Sequence, residues 1–96
     1  MKGRLVMKKR EIDSKTLFDL GNRITDLREK KGISQLRLAY LADISKTYLS
    51  DLENGRRNPT IIILNSIAKA LGVSLKDLFE DNEIEKKSTF PNYFIK

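Results

Sequence analysis

Residues 33–55 read ISQLRLAYLADISKTYLSDLENG, and the way this stretch breaks decides the fold. Ser34 and Ser45 each stand where a hydroxyl can accept a hydrogen bond from a backbone N–H two or three residues on, the role of a helix N-cap. Between them, Gln35 to about Ala42 reads as a short helix with Leu38, Ala39 and Leu41 available for packing. Only Asp43 and Ile44 separate it from the next cap, and a connection that tight makes two helices cross steeply. The following helix is expected over Lys46–Asn54 and is closed by Gly55.

Upstream, Leu17, Leu20, Ile24 and Leu27 step by three or four along one face of a preceding helix, which Lys30-Lys31-Gly32 ends. Downstream, Asn58-Pro59 breaks the chain and Thr60 caps a fourth helix with an apolar stripe of Ile61, Leu64, Ile67, Ala68 and Leu71. Gly72 stops it. Ser74 then caps a last short helix, Leu75 to about Glu80, with Asp77 placed for a reciprocal capping bond. No segment alternates with period two. The expected fold is all-α, five helices within residues 17–80. A core this small must bury nearly all of Leu20, Ile24, Leu27, Leu38, Ala39, Ile44, Leu49, Leu52, Leu64, Ile67, Leu71, Val73 and Leu78.

The third helix has two unlike faces. At about 100° per residue, Lys46, Thr47, Ser50, Asp51 and Asn54 share one side while Leu49 and Leu52 take the other. The polar side is short and varied: Lys can donate to guanine, Thr can bond a base or touch a thymine methyl, and Asp can accept from cytosine N4.

The chemistry available elsewhere is narrow. The 96 residues contain no histidine and no cysteine, which removes thiolate and imidazole metal sites, disulfides and every Ser-His or Cys-His pair. No metal or other cofactor is expected, and an enzyme is the least supported class. The longest apolar run, Ile61–Leu64, is far short of a membrane span, so a cytoplasmic protein is expected. Lys and Arg number 19 against 13 Asp and Glu, a net charge of +6, which points to a polyanionic partner. By segment the charge is +4 over residues 1–16, +2 over 17–80 and 0 over 81–96. Residues 1–16, with Lys8-Lys9-Arg10 and no helical apolar period, read as a flexible basic arm; Met7 offers a second start.

In this order and spacing, the motifs resemble one family, the phage repressor and Cro type of helix-turn-helix regulator, also called XRE-like. The carriers are Ile33-Ser34-Gln35, Leu38-Ala39, Ile44 through Ser50, Leu52-Glu53-Asn54-Gly55, Arg57-Asn58-Pro59-Thr60 and Ile67 through Ser74, spread over roughly residues 20–80. The resemblance implies a lambda-repressor-like domain whose third helix enters the DNA major groove. It implies base contacts from Lys46, Thr47, Ser50 and Asp51, the last with an intramolecular ion pair as a competing role. It implies backbone contacts from Gln35, Tyr48, Asn54, Arg56 and Arg57. Gln35 can also brace the recognition helix, and packing is an equal role for Tyr48. Arg28 and Glu53 match a family ion pair, with Arg28 also near a phosphate. Asp43 departs from the family, which most often places glycine at that turn; Asp tolerates the left-handed conformation better than most residues.

The function so implied is a sequence-specific double-stranded DNA-binding transcriptional regulator, acting as a homodimer on a near-palindromic operator. The alternative is a protein-interaction adaptor or antitoxin on the same fold. The dimer is expected from Leu75, Leu78 and Phe79, together with the tail of residues 81–96, whose Phe90, Tyr93, Phe94 and Ile95 are read either as folding back onto the domain or as a contact surface for a second copy or a second protein.

Overall fold

The computed structural model describes residues 2–80, with side chains from residue 13 onward. Its helices are α1 (Lys2–Lys31), α2 (Gln35–Ala42), α3 (Lys46–Glu53) and α4 (Ile61–Leu71), followed by a single 3₁₀ turn at Lys76–Leu78. The described residues contain no strand. The tail expected to contact a partner lies outside them.

Two expectations about helices are corrected. The backbone from Lys2 to Thr16 is helical and continuous with α1 instead of forming a flexible arm. Beyond Gly3 that segment has no glycine or proline, and its Lys, Arg, Glu and Leu are good helix formers. An amphipathic stripe begins only where there is a core to face, so periodicity is silent upstream. The fifth helix is a 3₁₀ turn: Asp77, Leu78 and Phe79 donate to Ser74, Leu75 and Lys76, each three residues back. So few residues gain little from i→i−4 bonding, and the docking of Leu78, fully buried, sets their path.

Each short helix is capped as its sequence demands. The hydroxyls of Ser34, Ser45 and Thr60 accept from the N–H groups of Arg37, Tyr48 and Ile63 at 3.0, 2.9 and 3.2 Å. Ser74 and Asp77 exchange reciprocal bonds of 2.9 and 3.2 Å. The Ser74 N–H holds the Asp77 carboxyl below its ordinary value, so this contribution exists above the usual carboxylate range and fades as pH falls through the lowered pKa. Arg23 Nε donates to the Asp77 carbonyl at 2.9 Å and ties α1 to the same turn. Asp43 adopts φ 60, ψ 44 and is, among the described residues, the one non-glycine with positive φ. That conformation lets Ile44 N–H reach back to the Ala39 carbonyl at 3.0 Å, which turns the chain from α2 into α3.

The core holds Leu20, Ile24, Leu38, Ala39, Leu49, Leu52, Leu64, Ile67, Leu71 and Leu78 as expected, with Leu27, Ile44 and Val73 partly buried against it. Ala42, not Leu41, completes the buried face of α2, because Ala42 lies one turn from Leu38 and Ala39 while Leu41 swings out to 43% exposure. Ile61 is not core either; at the open first turn of α4 it is 61% exposed. Leu78 is core and cannot serve a dimer contact.

Two features hold α3 in place. The first is Gly21, whose missing side chain lets α1 cross the end of α3 closely: a Cβ there would meet the carbonyl oxygens of Leu52 and Glu53 at 2.5 Å. The second is the buried Glu53 carboxylate. Arg28 donates to it through Nε at 2.7 Å and a terminal nitrogen at 3.1 Å, and Gln35 Nε2 donates at 2.8 Å. Arg28 also donates to the Ile33 carbonyl at 3.0 Å. One carboxylate therefore joins α1, the entry to α2, and α3. Its bond to Arg28 raises an already high arginine pKa, so the guanidinium stays charged.

Both features are testable. In a helix interior Gly→Ala normally stabilises by about 1 kcal/mol. At Gly21 overpacking against backbone outweighs that gain, and Gly21→Ala should lower stability by about 1–3 kcal/mol in chemical unfolding. A stabilised variant would refute the close crossing. Glu53→Gln leaves a partly buried guanidinium without its counter-charge. It should destabilise by about 2 kcal/mol or more, lowering Tm by about 10 °C, whereas unchanged melting would refute the pair.

Candidate nucleic-acid interface

The cap at Ser45 starts α3, and burial of Leu49 and Leu52 turns its opposite face outward. Lys46 and Thr47 are exposed at its first turn, Ser50 is half-exposed behind them, and Asn54 is exposed at its end. The structure thus brings the base-contact candidates onto one side of one helix. Asn54 is partly engaged, its side-chain Nδ2 donating to the Ser50 carbonyl at 2.8 Å.

Asp51 sits among cations. Its two carboxylate oxygens lie 3.5 Å from Arg56 Nε and 3.6 Å from Arg57 Nε. The Arg56 N–H also donates to the Asp51 carbonyl at 2.8 Å, which folds the loop after α3 back against the helix. Arg57 lies over the Tyr48 ring, 5.0 Å from its centroid, so this half-buried tyrosine supports an arginine with its ring face. Arg56, Arg57 and Lys46 are all exposed, so these cations outnumber Asp51 among the side chains of α3 and its following loop.

The remaining backbone-contact candidates face inward. Gln35 is half-buried and donates to Glu53; Arg28 is 12% exposed in its side chain, with three N–H groups directed at Glu53 and Ile33. Sequence reasoning did not find Gly21, the Tyr48–Arg57 stacking or the second arginine on Asp51. Gly21 alone left a signal, an isolated glycine inside a helical pattern. Among the described residues no group of acidic side chains could hold a metal ion, and no helix is long and apolar enough to cross a membrane.

Comparison with known proteins agrees with this geometry. A helix-turn-helix family profile matches residues 24–78, a span running from α1 through the final turn. The chain is 42% identical over 66 residues to the control protein C.MunI of Mycoplasma sp, covering 68% of this chain and 89% of that protein. It is 46% identical over 59 residues to the HTH-type transcriptional regulator y4dJ of Sinorhizobium fredii, covering 62% and 77%. Among solved structures, the restriction-modification controller protein C.AhdI from Aeromonas hydrophila superposes with a TM-score of 0.65 at 35% identity, over 66% of this chain and 96% of that one. The chain belongs to the helix-turn-helix family, in its phage repressor and Cro (XRE) branch, and is a DNA-binding transcriptional regulator.

Proposed function

We propose that the protein reads a specific double-stranded DNA site with α3 in the major groove. The carrying observation is the exposed Lys46, Thr47 and Ser50 face, held rigidly by the opposite face of the same helix and flanked by two exposed arginines. Lys46, Thr47 and Ser50 address base edges, Asp51 follows them once its arginines are displaced, and Arg56 and Arg57 meet the phosphates. Asn54 and the Tyr48 hydroxyl lie where they can join the arginines at the backbone. Gln35 and Arg28 act from behind, by holding Glu53.

The protein acts as a homodimer in this reading. Eight residues of α3 span about 12 Å, enough for a few base pairs, and specific affinities usually need two half-sites. Outside the α3 face, Ile61, Ile62 and Phe79 are 61%, 77% and 57% exposed, and apolar area of that kind marks an interface. Two similar proteins are named a control protein and a restriction-modification controller protein, which supports a regulatory role.

Selection from a random duplex library should enrich a near-palindrome with half-site centres about 10 base pairs apart. Binding to it should weaken steeply with salt, at about 0.9 log unit per log salt for each phosphate neutralised. With Arg56 and Arg57 from two protomers, the slope should be about −3.6 or steeper. No enriched sequence, or a flat slope, would overturn the DNA reading in favour of the adaptor.

Readout and fold should separate cleanly. Lys46→Ala and Thr47→Ala leave Leu49 and Leu52 untouched, so Tm should stay within about 2 °C. Affinity for the selected site should fall by about 1–3 kcal/mol per lost base contact, with preference relaxed at one position per half-site. Equal weakening on all sequences would reassign these residues to phosphates.

A further inference from the structure

We infer that Asp51 is a discriminator against non-specific DNA: in the free protein its carboxylate stands in for phosphate by holding Arg56 and Arg57, and once phosphate has taken them its uncovered charge is compensated only at the correct site. This rests on the reading of the α3 face as a DNA interface.

The geometry is that of an exchangeable pair. At 3.5 and 3.6 Å the arginine nitrogens are attracted to the carboxylate without forming short, directed hydrogen bonds. Phosphate oxygens offer both arginines shorter, bidentate contacts and outcompete it. The loop need not move far, since the 2.8 Å bond between Arg56 N–H and the Asp51 carbonyl anchors it and the Tyr48 ring supports Arg57.

Once the arginines turn to phosphate, Asp51 is left on the interface without a counter-charge. Against most base pairs it then meets acceptors and the field of the backbone, which oppose binding. Against a cytosine whose N4 amino group faces it, the freed carboxylate accepts a hydrogen bond and the penalty is recovered. The same side chain therefore weakens binding everywhere and restores it at one base. A purely basic face would bind every duplex and discriminate poorly, because phosphate contacts carry no direct sequence information.

The test compares wild type with Asp51→Asn, a near-isosteric neutral change at a partly exposed position, on the selected site and on a mixed-sequence duplex of equal length. Asp51→Asn should bind the mixed duplex about fivefold more tightly, in line with the strength of exposed ion pairs, and gain nothing on the selected site. The selection profile of Asp51→Ala, which lacks the acceptor that Asn keeps in Oδ1, should lose a cytosine preference at one position per half-site. In an Arg56→Gln/Arg57→Gln background the gain from Asp51→Asn should shrink, since no arginines remain to be released and only the repulsion of the carboxylate by the duplex is relieved. Melting of each variant checks that the fold is kept, and Asp51→Ser repeats the measurement should Asn alter it. Unchanged or weaker binding of the mixed duplex, or a gain undiminished without the arginines, would overturn the proposal while leaving the DNA reading intact. Absence of specific binding by the wild-type chain would instead remove that reading, and the proposal with it.

Discussion

The carboxylate of Glu53 is the constraint on which the interface depends. It is only 6% exposed, and a charge so placed is tolerable only when its oxygens are met by donors. Arg28 and Gln35 meet them from α1 and from the start of α2. Three elements distant in sequence thereby share one acceptor. The rotation of α3 about its own axis, which decides which side chains face outward, is coupled to the two helices behind it.

That coupling matters because α3 has only eight residues and would not persist alone. Its stability comes from Leu49 and Leu52 in the core, from the Ser45 cap, and from the approach of α1 that Gly21 permits. The outer face contributes little to any of these. Lys46, Thr47 and Ser50 are consequently free to follow the chemistry of a binding site without disturbing the fold, the division of labour expected of a reading helix on a rigid support.

Charge shows the same economy. Much of the excess positive charge in the sequence falls in residues 1–16, yet the α3 face carries a carboxylate among its cations. Asp51 orders the two arginines while the binding site is empty. The two arginines of this surface therefore already have an anionic partner within the chain.

Much was legible in the sequence, because caps and apolar spacing are local signals. Ser34, Ser45, Thr60 and the Ser74–Asp77 exchange declared where helices begin, the family resemblance placed a left-handed turn at Asp43 although glycine is usual there, and periodicity identified ten of the buried side chains. The motif spacing pointed to the family and to the face of α3. Tertiary structure alone decided what depends on approach between distant segments. It placed Ile61 outside the core and Ala42 inside, because neighbouring elements, not the stripe, determine which part of a helix is covered. Docking of Leu78 wound the last segment into a 3₁₀ turn. Gly21 gained its meaning from backbone carbonyls thirty-one and thirty-two residues away, and the loop's return to α3 gave Asp51 two arginines instead of a single competing partner. Local propensity is written along the chain; close packing and shared charge exist only once it has folded.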